Sequence, residues 1–403
     1  MSSLVVLESR SVLRFCRVLL RPGIRLYTAG ASVGDVLLDV CLRRRFILGE
    51  GLSAASILRG GHSLGPPGIQ MKKNLIKQWW EMVELSREHV LPIDTSLHPP
   101  GPTGLPRQDL LQGALRHYVS CLELVNWKLP FGIAEVGKCF HTIADGDCRS
   151  GERTLGSLCW FCSSKTLSQW RDYWLRHRLL WWRRFAQVPS GFGSSERQDM
   201  DGVRAIDISY DFPWGREVVE TLRTMDDSAL TQMHAGSTTR LRVCLHHQGR
   251  DGRRSVLPHL LWLSSDLDRG WLAYISDALS ENPSPPRTVL KFHPSLAPIK
   301  VALDLGKGPA VDLRLVCQGL ASELRASRIS VWPGYLDTPQ TPLERLFIKY
   351  DEMGVLFTVL VSDVTLESGL LHLRHRDTTI RETLHISKLR GLLAQHMAAA
   401  NTL

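Results

Sequence analysis

The stretch LPFGIAEVGKCFHTI, residues 129–143, decides how this chain is read. Residues 131–140 predict a β-strand, and residues 155–161 predict its neighbour, in which Leu158 and Trp160 alternate with Cys159 and Phe161. Helical patterns surround the pair. Residues 72–90 put Leu75, Trp79 and Val83 on one stripe, flanked by Ile76 and Met82. Residues 36–45, 110–126 and 168–185 predict three more helices. Helices gathered around antiparallel strand pairs describe an α+β domain.

The texture changes after the Pro-rich residues 282–287. Apolar strands at 299–305, 329–332 and 355–361 alternate with helical patterns at 343–353 and at 311–324, where Val311, Leu315, Val316, Gly319, Leu320 and Leu324 mark the expected inner face. Such alternation predicts a small α/β domain with a largely buried sheet. The expected organisation is therefore one domain over 36–281, a linker at 282–287 and a second domain over 288–403.

Specific residues then carry a resemblance. Leu296-Ala297-Pro298-Ile299-Lys300-Val301-Ala302, Lys349-Tyr350-Asp351-Glu352-Met353-Gly354 and Leu373-Arg374-His375-Arg376-Asp377-Thr378 are similar to the anticodon-binding domain of class II aminoacyl-tRNA synthetases, the glycyl type above all. Gly65-Pro66-Pro67-Gly68, Lys73-Asn74-Leu75 and Trp79-Trp80 resemble the first signature motif of that class. Residues 129–140 resemble the approach to the second motif, and residues 265–274, around Arg269, the third. The ordered set spans nearly everything after residue 35. It implies an antiparallel-sheet domain of class II synthetase type followed by an anticodon-binding-like α/β domain.

In an active synthetase of this class, the Phe at position 140 is followed by Arg and, two residues later, by Glu. Here those positions hold His141 and Ile143. An imidazole is a poor substitute for a permanent guanidinium fork, and an isoleucine cannot orient an amine. Losing one preorganised electrostatic contact typically costs ~3–4 kcal/mol of transition-state stabilisation. Arg269 persists, without a glycine-rich approach for ATP. The expectation is a scaffold without catalytic residues, cofactor or metal.

The formal charge is +9, but residues 1–27 hold five arginines against the single acid Glu8, so the remainder carries only +5. Arg10, Arg14, Arg17 and Arg21 share one helical face opposite Val12, Phe15, Cys16 and Leu19. That Arg-rich, acid-poor pattern is the composition of a mitochondrial transit peptide. The chain contains a single CxxC, Cys159 to Cys162, near Cys139, His141 and Cys148, and buried free thiols are the expected outcome.

Import signal, glycyl-type architecture and erased second motif together resemble the accessory-subunit family of mitochondrial DNA polymerase. Trp174-Leu175-Arg176-His177-Arg178, Asp211-Phe212-Pro213-Trp214-Gly215 and Ser330-Val331-Trp332-Pro333-Gly334-Tyr335 add to it. The resemblance implies a partner, the catalytic subunit of that polymerase. It also implies sequence-independent double-stranded DNA binding and a role in processivity, in the mitochondrial matrix and its nucleoids. An active glycyl-type synthetase, or a tRNA-binding relative of one, is the alternative.

Three sets of residues are singled out. Arg250, Arg253 and Arg254 on a Gly-containing loop offer phosphate contacts, against the bland reading of a solvated basic loop. Trp170, Trp174, Trp181 and Phe185 form an aromatic stripe expected to be core, which leaves the interleaved arginines, Arg183 and Arg184 among them, available to DNA. Trp79 and Trp80 serve either a dimer interface or the chain's own core. Members of the family pair through a helical insert, where this chain has the Pro/Gly-rich residues 96–106 that cannot form a helix. A weakened dimer or a monomer is therefore expected.

Replacing Arg250, Arg253 and Arg254 by Ala should flatten the log–log salt dependence of duplex binding by up to ~2–3 units, at roughly 0.9 per lost phosphate contact. An unchanged slope removes these residues from the DNA surface.

Overall fold

The computed structural model describes residues 33–53, 57, 62–86, 89–98, 105–141, 151–198, 204–235, 247–248, 255–256, 258–283, 286–337 and 342–402. The predicted transit peptide, Cys148, Ile143 and the loop carrying Arg250, Arg253 and Arg254 lie outside the described residues.

The first domain opens with helix α1 (Val33–Arg43), a short ribbon of β1 (Ile47–Leu48) and β2 (Ser63–Leu64), and helix α2 (Pro66–Ser86). Pro66 and Pro67 start α2, where a missing N–H costs nothing. The ribbon backbone passes so close that a Cβ on Gly68 would sit 2.0 Å from the Phe46 carbonyl oxygen. That contact explains the glycine. Met71, Leu75, Trp79 and Val83 follow at four-residue spacing, all buried.

Next come β3 (Val90–Pro92), α3 (Leu111–Leu124), β4 (Phe131–His141), β5 (Gly151–Cys162) and α4 (Leu167–Arg184). They are followed by β6 (Phe192–Gln198), β7 (Arg204–Phe212), β8 (Gly215–Met225), α5 (Ser228–Met233), β9 (His259–Asp266) and α6 (Leu267–Ala278). Seven strands form one sheet in the order β3-β4-β5-β9-β8-β7-β6, antiparallel except for the short β3 edge. The quoted strand pairs as read, with Phe131 opposite Phe161.

The alternation along β5 and β9 sorts side chains to two faces, and both are used. Leu158, Trp160, Leu261 and Leu263 join α2, α4 and α6 in the main core. Cys159, Phe161, Leu260 and Trp262 join α3 and α5 in a second core. Cys159 and Cys162 therefore face opposite sides of the sheet, a geometry unlike a CxxC metal knuckle. Burial pushes the Cys162 thiol up to about 12.

One finding runs against the sequence reading. Arg178, counted among the solvated arginines of α4, is only 1% exposed. Its Nε and Nη2 donate to both Glu220 oxygens at 2.8–3.0 Å, and Nη2 reaches Ser265 Oγ at 3.3 Å. Trp182 Nε1 also donates to Glu220, and Trp79 Nε1 donates to Ser265 Oγ at 3.1 Å. The guanidinium lies 4.4 Å from the Trp181 ring centroid. One polar knot thus ties α2, α4, β8 and β9.

The expected linker is instead a hairpin: β10 (Leu279–Pro283) pairs with β11 (Pro286–Leu290), with Pro283 opposite Pro286 at its tip. Prolines are tolerated there because the ladder ends and no further donor is required. The second domain holds β12 (Val301–Leu305), α7 (Ala310–Ala326), β13 (Val331–Pro333), α8 (Leu343–Glu352) and β14 (Phe357–Val361). It ends with α9 (Asp363–Ser368), β15 (Leu370–His375), β16 (Arg381–His385) and α10 (Ile386–Thr402). The sheet order is β13-β12-β14-β15-β16, parallel among the first three and antiparallel thereafter. Every residue of β14 is buried, as its unbroken apolar run requires. The main core continues from Leu279 through Phe292, Leu296 and Ala297 into Val301 and Val359, so the two domains share it.

Residues 97 and 107 lie at the place where the sequence reading expects the family's helical insert to be missing, and Arg107 N donates to Leu97 O at 2.9 Å, which brings the two together. Arg107 also pairs with buried Glu135 at 2.6 Å and donates to Thr95 O at 2.9 Å. A loop closed at its base changes length at little cost to the fold.

Breaking a buried ion pair by removing one partner costs about 3–5 kcal/mol, whereas replacing both by apolar groups is often neutral. Arg178→Leu should therefore unfold the first domain at clearly lower denaturant concentration. The double variant Arg178→Met, Glu220→Leu should recover most of that loss; equal losses in both would contradict the assignment.

Candidate functional site

Half of the sheet's second face is covered by α3 and α5. The other half borders a cavity of about 300 Å³ lined by Asp109, Thr221, Arg223, Trp262, Asp266 and Arg269. Arg269 is the residue that resembles the third-motif arginine. Asp266 caps α6 by accepting from Arg269 N at 2.9 Å, which fixes the arginine in the first helical turn.

The guanidinium is already engaged. It donates to Val218 O at 3.1 Å and lies 3.6 Å from both Glu217 and Asp266. Asp266 is itself bridged to Arg153 at 2.5 Å. Arg269 is thus held by groups of its own chain, sharing Asp266 with Arg153 and donating to a backbone carbonyl. His141 ends β4 opposite Gly151, and Ile143 lies beyond the described residues.

The basic residues nominated on α4 separate into different roles. Arg178 is internal. Arg183 is half-buried and donates through Nε and Nη2 to Phe192 O at 3.0 and 2.8 Å, fastening α4 to β6. Arg184 is exposed, with its guanidinium 5.6 Å from the Phe185 ring centroid. Arg176 is exposed as well. The tryptophans behave as core: Trp174, Trp181 and Phe185 are buried, and Trp170 packs against them. The signal for Arg178 was present in the spacing, because 174, 178, 181 and 185 lie on one helical stripe.

Trp79, weighed as an interface anchor, is 1% exposed and hydrogen-bonded inside the chain. A Cβ on Gly156 would sit 2.7 Å from its ring. Trp80 packs edge-on against it, with centroids 5.2 Å apart, and stays half-buried. The most exposed large apolar residue of α2 is Leu85.

The second domain corrects one expectation: Val311, Leu315 and Gly319, read as inner-face residues of their helix, are exposed. Val311 and Leu315, one turn apart on α7, are exposed, as are Leu336 in the turn after β13 and Val364 and Leu366 on α9. α7 packs against both of those elements. Its opposite stripe, Leu313, Cys317, Leu320 and Leu324, is buried. An amphipathic helix with apolar residues on both faces has an outer face suited to a partner.

Comparison with known proteins places these features in context. The anticodon binding domain family matches residues 300–396. The chain is 50% identical to the mitochondrial DNA polymerase subunit gamma-2 of Xenopus laevis, over 93% of this chain and 89% of that protein. It is 45% identical to the DNA polymerase subunit gamma-2 of Bos taurus, over 92% of this chain and 87% of that one. A glycine–tRNA ligase of Mycolicibacterium paratuberculosis is 24% identical, over 91% of this chain and 98% of the ligase.

The geometry distinguishes the two neighbouring arginines. Arg184→Ala should reduce the salt slope of duplex binding by about 0.9. Arg183→Ala removes charge-assisted hydrogen bonds worth about 1.5–3 kcal/mol and should lower stability with little change of slope. The opposite assignment of effects would overturn this reading.

Proposed function

The chain belongs to the family of the DNA polymerase gamma-2 subunits, and from that premise we propose that it is the non-catalytic accessory subunit of a mitochondrial DNA polymerase. In this reading it binds the catalytic subunit and double-stranded DNA without sequence preference, and increases processivity in mitochondrial DNA replication. It acts in the matrix, at nucleoids, after import directed by residues 1–27.

The observation that carries the non-catalytic part is the state of Arg269. A group that resembles a substrate-binding arginine is matched by Glu217, Asp266 and a backbone carbonyl. Together with His141 and Ile143, that leaves the second- and third-motif positions without their expected chemistry. Exposed Arg176 and Arg184, with the loop of Arg250, Arg253 and Arg254, are the groups proposed to meet phosphates.

The second domain is proposed to carry most of the contact with the catalytic subunit, through the outer face of α7 around Val311 and Leu315. Isolated exposed leucines are ordinary, but Val311 and Leu315 stand one turn apart on the same outer face of α7, which suits a desolvated contact. For self-association, Trp79 is engaged internally, which leaves Trp80 and Leu85 on α2. A weak dimer or monomer remains the proposal. The match to anticodon binding domains favours tRNA binding as the second reading.

A pull-down from mitochondrial extract separates the two readings: polymerase catalytic subunit on the resin supports the first, and tRNA without polymerase the second. Val311→Asp combined with Leu315→Asp should reduce polymerase capture at least about tenfold, the scale of one interface hot spot. Full capture by that variant would move the interface elsewhere.

A further inference from the structure

The two domains meet at a junction with a charged centre. Glu352, the last residue of α8, keeps its side chain only 8% exposed and accepts from Arg44 Nε at 2.6 Å and Arg43 Nη2 at 3.2 Å. Those arginines sit at and just beyond the end of α1, 308 and 309 positions away in sequence. The neighbouring Asp351 is occupied differently, by Arg287 of the hairpin and Arg374 of β15. Glu352 is therefore the acid that reaches across to the first domain.

Apolar and backbone contacts converge on the same point. The rings of Phe46 and Phe292 lie 5.8 Å apart. Arg376 donates to Phe292 O at 3.0 Å and to Gly354 O at 3.1 Å. Gly354 has φ +68°, and a Cβ there would stand 2.4 Å from the Phe292 ring. On the far side, Phe46 O accepts from Gly65 N at 3.0 Å, which joins α1 to the start of α2. A rotation of one domain against the other would strand a buried carboxylate and open this packing.

We propose that Glu352 with Arg43 and Arg44 forms a positioning clasp. It sets the angle between the sheet domain and the anticodon-binding-like domain, so that polymerase held by one and duplex DNA held by the other share a single geometry. The proposal rests on the accessory-subunit reading. Its consequence is specific: loss of the clasp leaves each partner's binding intact and impairs their combination.

The test uses full-length Glu352→Gln with the catalytic polymerase subunit on primed template, under a trap that limits synthesis to one binding event. Affinities for the catalytic subunit and for duplex DNA should stay within about twofold of the parent. Product length per event should fall about threefold, because the contacts are present but misplaced. Amide exchange over residues 290–300 should accelerate about tenfold, a local opening that binding assays do not register. A purely stabilising role would lower the melting temperature and leave product length per event unchanged. Unchanged length together with unchanged exchange overturns the proposal. If Glu352→Gln fails to fold, Arg43→Gln with Arg44→Gln carries the same expectations from the exposed side. If the parent protein itself fails to lengthen products, the accessory-subunit reading falls, and exchange over 290–300 alone decides the clasp.

Discussion

The first domain depends on one buried ion pair. Arg178 and Glu220 are both nearly inaccessible, and each is useful only because the other is there. Desolvating two charges is costly, and the cost is offset by the bidentate geometry and by further hydrogen bonds to Trp182 and Ser265, with Met82 Sδ facing Nη1 at 3.8 Å. The pair also explains the tryptophans. Trp79, Trp181 and Trp182 supply apolar walls, and two of them direct indole N–H groups to Ser265 and Glu220. With that knot in place, α2 and α4 are fixed on one face of the sheet, and the part of the opposite face not covered by α3 and α5 borders the cavity.

That cavity connects ancestry to present use. A sheet of class II synthetase type places its reactive groups on this face, and here the surviving arginine is held by groups of its own chain. Surface features suited to macromolecules lie elsewhere: arginines on α4 and an apolar outer face on α7. In the role proposed for it, the molecule is a scaffold that holds a polymerase and its template together, since phosphate contacts slow dissociation without reading sequence.

Much of this was legible in the sequence, and the exceptions have physical causes. Strand 131–140 appeared as 131–141, and 155–161 as the inner part of a strand that begins at 151, because alternation fixes a strand even when both faces are buried. The apolar run at 355–361 became the central β14, and the helix boundaries agree to within a few residues except at the start of α2, read from 72 but beginning at Pro66. Arg178 was missed because a charged side chain is ordinarily read as solvent-facing, although its place on the aromatic stripe said otherwise. Residues 282–287 were read as a linker because prolines punctuate chains; at the tip of a hairpin they do so without ending the structure. The inner face of α7 was read as 311, 315, 316, 319, 320 and 324, but the buried stripe is 313, 317, 320 and 324, so Val311 and Leu315 fall on the outer face; a helix with apolar residues on two stripes offers periodicity two answers. Arg269 was found as a motif position, but its engagement depends on Glu217, which is remote in sequence and adjacent only in the folded sheet.

The central claim is that the synthetase face of this molecule no longer performs synthetase chemistry. Amino-acid-dependent pyrophosphate exchange measures that directly, with glycine and with a mixture of the other amino acids. The account predicts exchange at the level of the protein-free blank. Glycine-dependent exchange clearly above that blank would contradict it, because the engaged Arg269 and the His141 and Ile143 positions would then have to support adenylate formation.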